Sequence, residues 1–238
     1  MGKHGVFGRT KSMHLDILTL FPNMFNGVFS ESIPKIALKK GIASIHLHDI
    51  RNWSRDKHGK VDDRPFGGGP GMVMTCQPLM DAVLEVTAAI PAPGRLIFLT
   101  PEGRVFDHGY AAELAAEERL VIVCGRYEGF DERIFELLKP ERLSIGDFIL
   151  SGGEIAAMAV VDAVIRLLPG VLGSSESASR ESFQDGLLDH PHYTQPAEYA
   201  GLAVPGELRS GDHARIAAWR RQQAVEKTKR FRPDLLEQ

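Results

Sequence analysis

The stretch from residue 144 to residue 154 reads Ser144-Ile145-Gly146-Asp147-Phe148-Ile149-Leu150-Ser151-Gly152-Gly153-Glu154. We interpret it as a short buried strand, a glycine kink, four extended residues and two glycines that open a helix. Glycines spaced this closely let backbone N–H and C=O groups approach a flat ligand, because no Cβ intervenes. A second stretch, Cys124-Gly125-Arg126-Tyr127-Glu128-Gly129, repeats the order of strand, glycine, polar residues and glycine. Either loop alone is typical of an ordinary strand-to-helix turn, but together they predict a small-molecule site at the carboxyl ends of a parallel sheet.

The composition is that of a soluble globular protein. Of the 238 residues, 43% are hydrophobic and 25% are charged, which is enough apolar material for a sizeable core. No run of about 18 apolar residues occurs, so the sequence predicts no membrane-spanning helix. The first twelve residues lack the apolar segment of a signal peptide, and the two cysteines form no CxxC pair. We therefore expect a protein of the reducing cytoplasm, without a disulfide framework or a zinc site.

The net charge of −3 conceals an asymmetry along the chain. Residues 209–232 contain eight Lys and Arg against only Asp212 and Glu226, so this segment carries +6 and the remainder carries −9. An acidic body with a basic end predicts contact with a polyanion through one part of the chain only. The alternative is a solvated helix face, and Trp219 inside the basic segment makes the two interpretations about equal.

Apolar strand patterns alternate with helical patterns over residues 13–170, which predicts an α/β domain with a mostly parallel sheet. The predicted strands include residues 14–20, 44–48, 95–99 and 120–124. A tight turn is expected at residues 100–103, directly after the third of these strands. The predicted helix at residues 154–168 is apolar on nearly all sides, so we expect its own core or a partner subunit to bury it.

Changes in composition divide the chain into four parts. Residues 1–12 are polar and basic and are interpreted as a disordered extension, or as sequence upstream of a true start at Met13. Residues 13–172 form the α/β domain, and residues 173–186 form a serine-rich flexible linker. Residues 187–238 form a small helical domain. A domain of about fifty residues is marginal by itself, so it should pack on another part of the protein.

A long loop at residues 51–71 has an unusual composition. It is rich in charged residues and ends in Pro65-Phe66-Gly67-Gly68-Gly69-Pro70-Gly71, which could wrap a phosphate or a base. Its glycine spacing matches neither the dinucleotide-binding fingerprint nor the P-loop. A flexible surface loop is an equally good interpretation of this stretch alone.

Five strings of the chain occur together, at residues 61–72, 124–129, 144–154, 186–189 and 191–194. In order and spacing they resemble the bacterial tRNA (guanine-N1)-methyltransferases, and the resemblance covers residues 13 to about 233. It implies methylation of the guanosine at tRNA position 37, beside the anticodon, and a trefoil-knotted fold of the SPOUT class. Periodicity does not predict a knot, and only the resemblance overrides the general rule against knots.

The resemblance also implies S-adenosylmethionine as cofactor, bound in the knot by three loops. The implied cofactor-binding residues are Leu99, Thr100, Pro101, Gly125, Tyr127, Glu128, Ser144, Ile145, Gly146, Asp147, Phe148, Ile149, Leu150, Gly152 and Gly153. It further implies a homodimer whose active site lies between the subunits. The basic C-terminal domain of one subunit would then hold tRNA against the cofactor of the other.

Methylation of guanine N1 needs a base, because N1 carries a proton at neutral pH, and a cation to stabilise the charge that grows on O6. Arg166 matches the arginine of the family that acts on O6; the alternative is an ordinary arginine at a helix C-terminus. The base of the family is an aspartate in the linker, and here Glu181 stands at that position. We expect Glu181 to be the base, with Asp185 as the second candidate.

Six residues are candidates for tRNA contact: Asp62, Arg64, His192, Trp219, Arg220 and Arg221. Trp219 is equally well explained as an anchor of the small domain, and Gln195 replaces an arginine that is frequent in the family. His190 and His192 suggest a metal, but two histidines without a third ligand are weak evidence, so no metal site is predicted. Family members require magnesium, which one or two carboxylates would suffice to hold.

Three alternative functions follow from the same residues. A non-catalytic RNA-binding protein would explain the basic C-terminal segment but leaves the two glycine loops unexplained. A nucleotide-dependent oxidoreductase is disfavoured because the dinucleotide-binding fingerprint is missing. A ribose 2′-O-methyltransferase of the same knotted class is the nearest alternative among enzymes.

Overall fold

The computed structural model describes residues 12–92, 94–172, 182–183 and 185–237. The chain divides into two compact units, Met1–Gly173 and Ser174–Gln238. In the described residues, we find no helix whose length and apolar character would let it span a membrane. Glu181 and most of the linker predicted at residues 173–186 lie outside the described residues, so the predicted boundaries stay predictions.

A five-stranded parallel sheet forms the centre of the first unit. Its strands and two short flanking ones are β1 (Met13–Thr19), β2 (Ala43–Asp49), β3 (Asp62–Asp63), β4 (Val73–Met74), β5 (Arg95–Val105), β6 (Arg119–Cys124) and β7 (Glu141–Ser144). The order across the sheet is β2-β1-β6-β5-β7, and every pairing within it is parallel. Strand β6 lies in the middle and is buried at all six positions, as its unbroken apolar run predicts.

Helices cover both faces of this sheet. They are α1 (Asn26–Phe29), α2 (Ser32–Lys39), α3 (Cys76–Ala88), α4 (His108–Ala115), α5 (Arg133–Leu138) and α6 (Glu154–Ile165). Alternate residues of a strand point to opposite faces. Ile122 therefore joins the core that includes residues of α1, α2, α4 and α6, whereas Val121 and Val123 join the core that includes α3 and α5. The predicted α/β class, with helices on both faces of a mostly parallel sheet, is confirmed.

The turn expected at residues 100–103 is wrong, because β5 continues through these residues to Val105. Both Leu99 and Arg104 pair with Leu143 of β7, so the four residues between them form an irregularity within one strand. Gly103 allows the two strands to approach each other, since a Cβ there would lie 2.2 Å from the backbone nitrogen of Leu143. Pairing with β7, a non-local interaction, overrides the local turn signal.

The second unit contains a short hairpin, β8 (Glu198–Tyr199) and β9 (Leu202–Ala203), and a long helix, α7 (His213–Phe231). The carboxylate of Asp212 begins α7 by accepting hydrogen bonds from the backbone nitrogens of Ala214 (3.0 Å) and Arg215 (3.1 Å). The helical C-terminal part of the fold-class prediction is thus confirmed.

Candidate cofactor and catalytic site

A cavity of about 490 Å³ lies beside residues 99–102, in the middle of β5, and beside the loops that follow β6 and β7. It is lined by residues 99–102, 125–130, 143–146 and 148–153, and by Glu132, Phe135 and Ala156. Fourteen of the fifteen residues that the family resemblance assigns to cofactor binding lie in this lining. Asp147 is the exception, because it is exposed and lies outside the lining. The position at the carboxyl ends of parallel strands is where ligands bind in open α/β sheets.

Glycines let the loops of this cavity pack backbone against backbone. A Cβ on Gly153 would lie 2.9 Å from the Cα of Cys124, and a Cβ on Gly125 would lie 2.9 Å from the ring of Phe130. The close approach allows the backbone nitrogen of Gly153 to donate to the carbonyl of Gly125 over 2.8 Å. Gly146 has a φ of +140°, a conformation that side chains strongly disfavour. The glycines therefore let the loops that line the cavity pack closely against each other and against the end of β6.

A buried ion pair joins two of the cavity-lining loops. Glu154, the first residue of α6, is fully buried, and its Oε2 accepts a hydrogen bond from Nε of Arg126 over 2.8 Å. Its Oε1 accepts from the hydroxyl of Thr19 over 2.8 Å. Arg126 also donates to the carbonyl of Ser151 (2.9 Å), and it lies over the ring of Phe21. Sequence reasoning missed this pair, although a lone acid opening an apolar helix and an arginine beside a loop glycine were the available signals.

Carboxylates surround part of the cavity. Glu102, Glu128 and Glu132 are among its lining residues. Arg142 donates hydrogen bonds to Glu102 and, over 3.0 Å, to Glu132. Three carboxylates thus meet one guanidinium here, so this side of the cavity keeps a net negative charge, which suits a ligand that carries positive charge, such as a sulfonium or an amine.

Neither cysteine has the properties of a nucleophile. Burial raises the pKa of the Cys124 thiol well above its usual value, and the nearby charge of Glu154 adds to this effect. Burial and a hydrogen bond to Asp131 raise the pKa of the Cys76 thiol. Both side chains therefore stay as neutral thiols, and the site offers no thiolate for covalent catalysis.

The glycine-rich end of the long loop lies against Glu128, one of the residues that line the cavity. The backbone nitrogen of Glu128 donates to the carbonyl of Met72 over 2.9 Å, and a Cβ on Gly71 would collide with the Glu128 side chain. Burial raises the pKa of Tyr127, and the negative charge of Asp62 raises it further. Asp62, a predicted tRNA contact, thus lies within electrostatic reach of the cavity-lining loop at residues 125–130, whereas Arg64 is exposed.

The structure describes only some of the residues predicted for catalysis, namely Arg166 for charge on O6 and Asp185 as the second candidate base. Arg166 is half-buried at the C-terminal end of α6, where its backbone nitrogen donates to the carbonyl of Asp162. Glu181 lies outside the described residues. Asp185 belongs to the second unit, is exposed, and has its carboxylate 3.7 Å from the guanidinium of Arg221.

The other predicted tRNA contacts belong to the second unit. The exposed His192 donates from Nε2 to the carboxylate of Asp189 over 2.9 Å, and the half-buried Trp219 packs against the rings of His190 and Tyr193. These ring contacts support the anchoring role that the sequence left open for Trp219. Arg220 is half-buried, and its Nε has no hydrogen-bond partner in the described part of the chain.

Comparison with known proteins identifies the family. The family model described as "tRNA (Guanine-1)-methyltransferase TrmD" matches residues 13–238. A protein of Geobacter sulfurreducens named tRNA (guanine-N(1)-)-methyltransferase is 56% identical over 94% of this chain and 91% of its own length. Proteins of the same name from Dehalococcoides mccartyi and Shouchella clausii are 51% and 53% identical, each again over 94% of this chain and 91% of the relative. Because the family model spans the α/β unit and the helical unit together, the chain belongs to the tRNA (guanine-N1)-methyltransferases, enzymes of the SPOUT fold class.

Proposed function

We propose that this enzyme transfers the methyl group of S-adenosylmethionine to N1 of the guanosine at position 37 of tRNA. The observation that carries the proposal is the cavity beside residues 99–102 of β5 and the loops after β6 and β7, whose lining includes Gly125, Gly146 and Gly153. Its acidic side suits the positive charge of a sulfonium, and its glycine-bearing walls suit an adenine ring.

The bound cofactor would supply a methyl group that is already activated on a sulfonium, so the protein has no leaving group to activate. In our proposal, the backbone of Gly125, Gly146 and Gly153 binds the adenine. The ion pair between Arg126 and Glu154 holds the two loops at the spacing that this ring needs. The chain's contribution is thus chiefly to position the reactants.

Removal of the N1 proton is the chemical task left to side chains. We assign the base to Glu181 and the stabilisation of charge on O6 to Arg166, whose guanidinium stays positive at all relevant pH values. The carboxylate would take the proton from N1, and the freed electron pair of N1 would form the new bond to the methyl carbon. The methyl–sulfur bond would break at the same time, and its electron pair would stay on sulfur, which leaves a neutral thioether. Because both thiols are neutral, direct transfer is the mechanism that fits this site.

A second copy of the chain would complete the active site in our proposal. Phe148, Ile149 and Ile155 are 54%, 82% and 49% exposed in one protomer, and all three lie next to the cavity or at the start of α6. Exposed apolar side chains at this density indicate a contact surface. The basic helix α7 of one subunit would hold tRNA near the cofactor of the other. Magnesium would be bound through one or two carboxylates and RNA phosphates. We place the enzyme in the cytoplasm. Light scattering on the purified enzyme would give twice the 26.2 kDa chain mass if this is correct.

Single-turnover methylation of unmodified tRNA tests the assignment of the base. We expect Glu181→Gln to lower the rate by a factor of about 10² to 10⁴, and Asp185→Asn to lower it far less. Glu198→Gln, at an exposed position of β8, is the matched control. Full activity of Glu181→Gln rejects the assignment, and loss of activity in Asp185→Asn alone transfers the role to that residue.

Mass spectrometry of the product nucleoside tests the methylated atom. We expect 1-methylguanosine at position 37. A methyl group on the ribose would instead favour the 2′-O-methyltransferase alternative, and a methyl group at another guanosine would contradict the proposed position.

A further inference from the structure

Three potential metal ligands meet in the second unit. Asp189, His190 and His192 bring one carboxylate oxygen and two ring nitrogens to within 4.8 Å of one another. Among the residues that the structure describes, this is the one such group of three or more. The sequence showed only the two histidines as candidate ligands, and the structure adds the carboxylate between them.

The distances within this group resemble those of a metal site. Nε2 of His192 lies 2.9 Å from Oδ2 of Asp189, and Nε2 of His190 lies 3.7 Å from Oδ1 of the same carboxylate. Two ligand atoms bound at about 2.0–2.1 Å to a tetrahedral zinc ion lie about 3.3 Å apart. The 2.9 Å contact is a hydrogen bond from His192 to the carboxylate, so a bound ion would take the place of the Nε2 proton. The 3.7 Å separation is close to the spacing of two ligands around an ion.

The ring of His190 is already held in the tautomer that a metal needs. Its Nδ1 lies 3.1 Å from the carbonyl oxygen of Pro191. A carbonyl can only accept, so Nδ1 carries the proton and Nε2 presents its lone pair to the group. A hydrogen bond from the second ring nitrogen to a backbone carbonyl is the usual support of a metal-bound histidine.

The backbone around the group is anchored to α7. The nitrogen of Leu188 donates to the hydroxyl of the buried Thr228 over 2.9 Å, and the nitrogen of Asp189 donates to the hydroxyl of Ser182 over 2.9 Å. The ring of His190 also packs against Trp219. Ordered backbone and packed rings reduce the entropy cost of gathering the ligands on an ion.

We propose that Asp189, His190 and His192 bind one divalent transition-metal ion, of the class of Zn²⁺ or Co²⁺. Two imidazoles and one carboxylate are the donor set that these ions prefer, whereas Mg²⁺ prefers oxygen ligands alone. The three protein ligands leave a fourth position for water or for another oxygen ligand. The proposal concerns binding of this ion alone, so it stands or falls independently of the proposed function.

Cobalt binding to the full-length, tag-free and chelator-treated protein tests the site directly. Co²⁺ gives visible absorption bands whose intensity reports a tetrahedral environment. We expect the bands to saturate at one equivalent of Co²⁺, to disappear when Zn²⁺ is added, and to persist in millimolar Mg²⁺. Absence of tetrahedral bands, or their removal by Mg²⁺, would overturn the proposal.

Variants locate the ion. His190→Ala and His192→Ala should each weaken Co²⁺ binding by at least about tenfold, as should Asp189→Asn, which keeps the shape of the side chain. The controls are His213→Ala, at the exposed start of α7, and His48→Ala, whose ring lies 2.8 Å from the carboxylate of Asp16 in the first unit. Circular dichroism checks that each variant is folded. Unchanged binding in the three ligand variants, or loss of binding in a control, would show that the group is only a hydrogen-bonded cluster.

Discussion

Nε of Arg126 lies 2.8 Å from Oε2 of Glu154, which joins the loop after β6 to the first residue of α6. The side chains are 14% and 0% exposed, so both charges are largely removed from water. Such a pair adds little net stability, because desolvation offsets much of the Coulombic attraction. Its effect is instead to fix the relative position of two loops that line the cavity.

Breaking this pair should damage both folding and cofactor binding. In Arg126→Gln, the buried carboxylate of Glu154 keeps the hydrogen bond from Thr19 but loses its positive partner. We expect the free energy of unfolding to fall by about 3–5 kcal/mol, as for other buried pairs that lose one member. Urea denaturation measures this loss, and calorimetry should show S-adenosylmethionine binding weakened by at least about tenfold.

A matched control for this prediction is Arg133→Gln. Arg133 pairs with Asp131, but its side chain is 68% exposed, so its removal should change stability and cofactor affinity little. If Arg126→Gln and Arg133→Gln prove equally mild, the buried pair does not organise the cavity.

A methyl group added at Gly153 should push this residue away from Cys124 and disturb the packing of the two cavity-lining loops. A Cβ there would lie 2.9 Å from the Cα of Cys124, a backbone atom of the central strand that cannot move aside cheaply. We expect Gly153→Ala to reduce cofactor affinity by at least about tenfold, measured by calorimetry. Gly27→Ala, in α1 where a Cβ meets nothing within 4 Å, should leave affinity unchanged. Wild-type affinity in Gly153→Ala would contradict the backbone-packed cavity.

The free energy of unfolding should fall when the pH drops below about 6.5, because the folded protein lowers the pKa of His14 from its usual value of 6.5. Burial is the main cause, and the charges of His46 and Arg119 add to it, whereas the nearby Asp16 opposes it. The unfolded chain then binds more protons than the folded one, so acidification favours unfolding. Urea midpoints measured between pH 8 and pH 4 should show this decline, and His14→Gln should make it shallower. An identical pH profile in the variant would refute the assignment.

A second decrease in the free energy of unfolding should occur at lower pH, where Asp16 becomes protonated. Burial alone would raise the pKa of this carboxyl, but hydrogen bonds from His48 and the buried Arg119 outweigh it and hold the pKa below the usual 3.8. Stability from this lowered pKa is present above pH 3.8 and is lost as the pH falls through the folded-state value. Urea midpoints measured below pH 3.8 should show this loss in the wild-type protein, and Asp16→Asn should remove it. Persistence of the loss in the variant would assign it to other carboxylates.

Binding of tRNA should depend on Arg221 in a manner typical of a phosphate contact. Its side chain is 63% exposed on α7 and is only loosely paired with Asp185 at 3.7 Å. Arg221→Gln should weaken binding of all accepted tRNAs similarly and should reduce the slope of affinity against salt concentration by about one counterion. Filter binding at several salt concentrations measures this, with Lys35→Gln in α2 as the control. An unchanged salt slope would remove Arg221 from the interface.

Local signals in the chain were sufficient for most of the fold. The apolar run of β6 predicted a central strand, and Asp212 predicted the start of α7, because burial on two faces and capping depend on near neighbours in sequence. The glycine spacing of the two loops predicted where a flat ligand would lie. The knot stays a prediction from resemblance to a family alone, since threading of a chain leaves no periodic trace.

Tertiary structure decided which side chains meet. Glu154 accepts a hydrogen bond from Thr19, which is 135 residues away in sequence, and no pattern near either residue specifies that partner. Residues 100–103, which were expected to form a turn, belong to β5 because they lie between two residues that pair with β7. The carboxylate of Asp189 lies close to His190 and His192, which in the sequence alone were two candidate ligands without a third. Backbone preferences are short-ranged and can be read along the chain, whereas partners for buried charges and metal ligands depend on how distant segments are packed.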